Sequence, residues 1–256
     1  MLPREHGAYG QIAFPLIAAY AVAGVSAASL LMTVTIIAGF LAHEPAAIVL
    51  GQRGGRVKRE LGASATRWLV CCLAVGVAAG LGAVSRLDAV TRWSLAIPTV
   101  PAAALMVAMI KGREKSWFGE AAAALAFAGA AVPIARAAGA SMDMALAVAI
   151  PFALLFTTTT LAVRVVVLRV RGGGDPCAAA ATRRAALILS GVSALVIGVL
   201  AMTGWLASSV LIAAAPGLLT GAIVAVRPPA ATRLRSLGWS LVAVSTLTTL
   251  IVIATA

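Results

Sequence analysis

Nine runs of apolar residues, separated by short polar stretches, make up most of the chain: 7–26, 28–50, 65–84, 93–110, 118–138, 144–168, 185–204, 206–226 and 236–255. A helix of about 20 apolar residues crosses the hydrocarbon core of a bilayer. Within lipid every backbone polar group must find its partner inside the protein, which leaves helices or closed barrels. Runs of this length without strict alternation predict helices. The pattern therefore predicts an all-α membrane protein of nine transmembrane helices in one bundle, with residues 1–256 as a single multi-pass domain. Small residues from Ala21 to Ser29 resemble a leader cleavage site, but the early Glu5 and His6 and the immediate second run favour a helical hairpin.

Composition agrees with this reading. Hydrophobic residues make up 62% of the chain, charged residues 11%, and the mean hydropathy is +1.04. A soluble domain carries about 25% charged residues, so a water-facing surface cannot be built from this pool. Alanine and glycine dominate the runs, and small residues let membrane helices approach closely. The runs show neither a 20–50-residue repeat nor an inverted duplication.

Charge adds orientation. Lysine and arginine number 20 against 8 acidic residues, for a net charge of +12. The cations fall in clusters between apolar runs rather than on one soluble face, which excludes a nucleic-acid partner. Short cytoplasmic loops retain Lys and Arg. Seventeen of the 20 lie on alternate connections, leaving Arg86, Arg92 and Arg136 on the others. That split predicts a cytoplasmic N-terminus and an outside C-terminus. Cys71 and Cys72 are adjacent and Cys177 falls in a predicted loop; the three carry no disulfide or zinc spacing.

Ionisable residues away from loop ends are candidate functional groups, because charge in a bilayer is costly. His43-Glu44-Pro45 is the clearest case, since the apolar run resumes at Ala46. Glu44 lies about 13 Å along the helix from Arg53, and Pro45 can kink the helix there. The N-terminal Arg4, Glu5 and His6 enter at the same face, so His43, Glu44, His6 and Glu5 are the candidate catalytic residues. Between the fourth and fifth runs, Lys111, Arg113 and Lys115 precede a helix that Ser116 can cap, and the amides and cations there favour an anion. Arg164, five residues before Arg169, has apolar neighbours on both sides. Arg4, Arg53, Lys111, Arg113, Glu120, Arg164 and Arg169 are accordingly the candidate substrate-binding residues. Neither a metal site nor a cofactor is expected; a haem or metal between His6 and His43 would need a spacing that nothing in the sequence fixes.

The opening Pro3-Arg4-Glu5-His6-Gly7-Ala8-Tyr9-Gly10, the later His43-Glu44-Pro45 and the following Arg53-Gly54-Gly55-Arg56 resemble the YwiC-like family of bacterial integral membrane proteins, which implies a multi-pass place in the bacterial cytoplasmic (inner) membrane. A more distant resemblance, in span number, orientation, a long cytoplasmic loop after the second span and the Lys-x-Arg stretch followed by Trp, is to the UbiA-type intramembrane prenyltransferases. That resemblance implies a cytoplasm-facing site holding an isoprenoid diphosphate through magnesium on two aspartate-rich motifs. This sequence departs from it. Ala47, Ile48, Gly51 and Gln52 stand where carboxylates would follow Glu44, and Arg164, Arg169 and Arg171 occupy the second region, with only Asp175 beyond.

Arginine binds phosphate directly. The leading expectation is therefore a cytoplasm-facing cavity, shared by Glu44 and Arg164, that binds an anionic or isoprenoid membrane lipid in a metal-independent prenyltransferase-like enzyme. Two alternatives stand beside it: a non-enzymatic lipid- or quinone-binding component of a respiratory or envelope system, and a small permease coupled to protons through Glu44 and His43.

Overall fold

The computed structural model describes residues 6–170 and 176–255. The expectations for Arg4, Glu5 and Asp175, and for the side chains of His6 and Arg169, lie outside the described residues. Among those residues the chain is helical, without a strand: α1 His6–Ala23, α2 Ala27–Val49, α3 Gly55–Val84, α4 Ala89–Ser94, α5 Ala96–Ile110, α6 Trp117–Gly129, α7 Ala131–Ala137, α8 Met142–Val170, α9 Pro176–Met202, α10 Ser208–Val226 and α11 Leu234–Thr255. Eight of the resulting segments are long and apolar enough to cross a membrane, with α4–α5 and α6–α7 each forming one; Gly7–Ala23 is a shorter apolar helix. These nine segments coincide with the nine apolar runs.

Four boundaries differ from the sequence reading. The basic stretch after α2 is helix rather than a long loop: α3 begins at Gly55, ten residues before the apolar run, because Arg, Lys, Glu and Leu are all good helix formers. Cys177 lies in the first turn of α9 rather than in a loop, and Arg183 and Arg184 are inside that helix. The fourth and fifth runs are each broken, at Leu95 and Ala130. Both breaks stand at the same place relative to a proline. Pro98 and Pro133 have no N–H to give to the carbonyl four residues earlier, and those residues, Ser94 and Gly129, are where α4 and α6 end. The breaks pack together, since a Cβ on Gly129 would stand 3.2 Å from Ile97 Cγ2.

The main core joins α1, α2, α6, α7 and α8 around Phe152, Ile134, Val132 and Val148, all essentially buried. At α8 and α10 the approach is closer still. A Cβ on Gly217 would meet the Leu155 backbone at 2.8 Å, and one on Gly221 would meet Thr158 Cβ at 2.9 Å. Trp68, Trp93, Trp117, Trp205 and Trp239 are all exposed, as befits aromatic rings at the membrane interfaces.

Hydrogen bonds at the helix ends bear on the alternation of the spans. Ser26 Oγ, between α1 and α2, donates to Ala137 O at the end of α7. The ends of α2, α5 and α8 meet at the other face through the contacts described next.

Candidate functional site

The ends of α2 and α5 are built alike. Gly51 and Gly112 adopt left-handed φ values of +81° and +65°, where glycine carries no Cβ penalty. Each helix closes with the same pair of bonds: Gly51 N to Ile48 O and Gln52 N to Ala47 O, and Gly112 N to Met109 O and Arg113 N to Ala108 O. This cap satisfies the last carbonyls and turns the chain back over the helix end. Two residues beyond each glycine stand Arg53 and Glu114. The two caps thus bring a cation and an acid from separate helices to one point.

There Arg53 Nη1 lies 2.8 Å from Glu114 Oε1 and Nη2 lies 2.7 Å from Glu44 Oε2. Arg53 Nε adds a second bond to Glu44, 3.0 Å from Oε1. The carboxylates are largely buried, with side chains 10% and 11% exposed. Arg53 sits in the turn outside the spans. The hydrogen bond to Glu44 holds its guanidinium above the usual arginine value against the opposing effect of burial, with both carboxylates adding attraction, so it stays charged. His43 extends the chain, its Nε2 3.5 Å from Glu114 Oε2. That oxygen is buried and has no hydrogen-bond partner. Gln52 Nε2 donates to Met109 O, tying the two caps together, and Gln52 Oε1 is likewise buried without a partner. One turn deeper, Phe40 stacks edge to face between Tyr9 and Phe127, at 5.1 and 5.8 Å.

Next to Glu114, the backbone of Lys115 reaches a second pair. Arg164 Nη1 donates to Lys115 O at 2.7 Å and to Glu120 Oε2 at 3.0 Å. Ser116 caps α6 as predicted, accepting from Gly119 N. The turn is tight: a Cβ on Gly119 would stand 2.3 Å from Glu114 O. The α5–α6 turn is therefore pinned from one side by Arg53 of the α2–α3 turn and from the other by Arg164 of α8.

Of the sequence candidates, His43, Glu44 and Arg53 come together, and Glu120 and Arg164 form a separate pair. Glu44 and Arg164 each take a different partner; what joins them is the step from Glu114 to Lys115. Lys111 and Arg113 are exposed on the same turn. Sequence reasoning missed Glu114 and Gln52. The signal for Glu114 was available, since it is a lone acid among Lys111, Arg113 and Lys115, placed two residues after a glycine as Arg53 is. Among the described residues no three His, Cys, Asp or Glu side chains gather as metal ligands.

The YwiC-like protein family matches residues 2–135, a stretch that contains both caps and every member of the Arg53 cluster. No curated protein matches the chain, and no solved structure does.

Proposed function

The chain belongs to the YwiC-like protein family, and on that premise we propose that it is a small proton-coupled permease whose coupling site is the run of contacts Glu44, Arg53, Glu114 and His43. One observation carries the reading: a single guanidinium is shared by two buried carboxylates, and the second of these faces a histidine. The arrangement offers a route for a proton, since an imidazole lies within reach of one oxygen of a carboxylate whose other oxygen is held by the shared guanidinium.

The consequence is mechanical. A proton on Glu114 cancels its attraction for Arg53 and leaves Arg53 to Glu44 alone, which frees one of the two pins on the α5–α6 turn. His43 is the more exposed neighbour, at 26% against 11% for Glu114, and is suited to pass the proton from water. The test uses membrane vesicles under an imposed pH gradient with a panel of small solutes. A transported solute should collapse the gradient in vesicles carrying the parent chain and not in those carrying Glu114→Gln. Equal collapse in both contradicts the proposal.

A second reading, the anionic or isoprenoid lipid, draws its support from Lys111, Arg113 and Lys115, which are exposed around the same turn. The ionic cluster itself favours an anion less, because Arg53 is engaged by two acids. Prenyl transfer through magnesium would need open carboxylates, and Glu44 and Glu114 are both paired. A lipid that copurifies with the parent and is lost on replacing Lys111 and Arg113 by alanine would favour this reading; its retention after EDTA would separate it from the metal-dependent mechanism.

A further inference from the structure

At the end of the bundle opposite the ionic cluster, a cavity of about 220 Å³ opens between the first turns of α8 and α10, the last turns of α11 and the α9–α10 turn. Its floor is apolar and belongs to the core: Val148, Val210, Ala213 and Val252 are at most 4% exposed. Its mouth differs in kind. Asp143 and Trp205 line it, and both are exposed, Trp205 at 82%. Among the described residues no lysine or arginine lines the cavity, and Asp143 is the sole ionisable side chain in the lining, in a chain whose net charge is +12.

We propose that this cavity is an outward-facing binding site for a small organic cation, an ammonium carrying a short aliphatic tail. The tail fills the apolar floor, where its methylenes leave water. The ammonium stays at the mouth, where a carboxylate and an indole ring both attract it. A zwitterionic phospholipid fits less well, because its phosphate would bring a negative charge beside Asp143 with no cation to receive it. The proposal stands apart from the cytoplasmic proton site, since it uses none of the same residues.

The test is calorimetric titration of hexylammonium into the full chain in phosphatidylcholine nanodiscs at low salt, with empty nanodiscs subtracted and hexanol as the uncharged comparison. The parent should bind hexylammonium saturably and more tightly than hexanol. Asp143→Asn should weaken hexylammonium about threefold to fivefold, the range of an exposed ion pair, and leave hexanol unchanged. Ala213→Leu fills the floor and should abolish both. Asp143 lies on an exposed first turn, so its variant keeps the fold even where Ala213→Leu fails to insert. Equal affinity of the parent for the two ligands, absence of saturable hexylammonium binding, or an unaltered Asp143→Asn would overturn the proposal.

Discussion

Arg53 folds back on Glu44 across nine residues of chain, with Nη2 2.7 Å from Oε2 and Nε 3.0 Å from Oε1. The return is made possible by the positive φ of Gly51, which ends α2 and reverses the chain above its own last turn. The same device at Gly112 delivers Glu114. A helix end that would otherwise expose bare carbonyls is thereby made into a polar, internally paired site.

Removing Arg53 should leave two buried carboxylates facing each other. Loss of one partner from a buried pair costs about 3 kcal/mol, so Arg53→Met should lower thermal stability in detergent by that order. Arg53→Lys should recover part of the loss, because an ammonium cannot bond both acids through a planar fork. Adding Glu44→Gln and Glu114→Gln to Arg53→Met should restore stability in part, as comparing the triple variant with Arg53→Met would show.

The contact between α8 and α10 makes a second prediction. Gly217→Val and Gly221→Val would drive side chains into Leu155 and Thr158, and overpacking of this kind costs about 1–3 kcal/mol each. Gly191→Ala and Gly198→Ala, whose added Cβ meets nothing within 4 Å, should cost nothing and raise stability slightly, since alanine is the better helix former. Unfolding midpoints of the four purified variants check the contrast.

The spans were legible because hydropathy dominates in lipid. Pro45, Pro151 and Pro216 lie inside continuous helices, whereas Pro98 and Pro133 coincide with breaks, and no local pattern around these prolines separates the two cases. Hydropathy also hid the first ten residues of α3, which are polar and still helical. His43, Glu44 and Arg53 were found by their cost inside or near an apolar run. Glu114 was passed over because an acid in a cationic loop looks solvated; its burial comes from the meeting of two distant helix caps, a tertiary fact.

Asp88 caps α4, accepting from Thr91 N at 2.6 Å, and the Thr91 hydrogen bonds hold its carboxyl below the usual range. A depressed carboxyl stabilises the cap above its unfolded value and loses that effect as pH falls through the folded one. The Thr91 amide resonance should therefore stay constant through neutral and mildly acid pH and shift only at still lower pH. In Asp88→Ala that acid transition should vanish.

The cation distribution predicts the sidedness. In a background with Cys71, Cys72 and Cys177 replaced by alanine, cysteines at Lys58 and Lys115 should react only with cytoplasmic reagent. Cysteines at Trp93 and Trp205 should react only from outside. Membrane-impermeant maleimide labelling of spheroplasts and inverted vesicles reads both.

Proton exchange at Glu114 is tested most directly by infrared difference spectra of the chain in vesicles, recorded as a pH gradient is imposed. The account predicts a carboxylic-acid carbonyl band that appears with the gradient, is missing in Glu114→Gln and is altered in His43→Gln. A band unchanged in both variants would contradict it and leave the Arg53 cluster as a structural clasp.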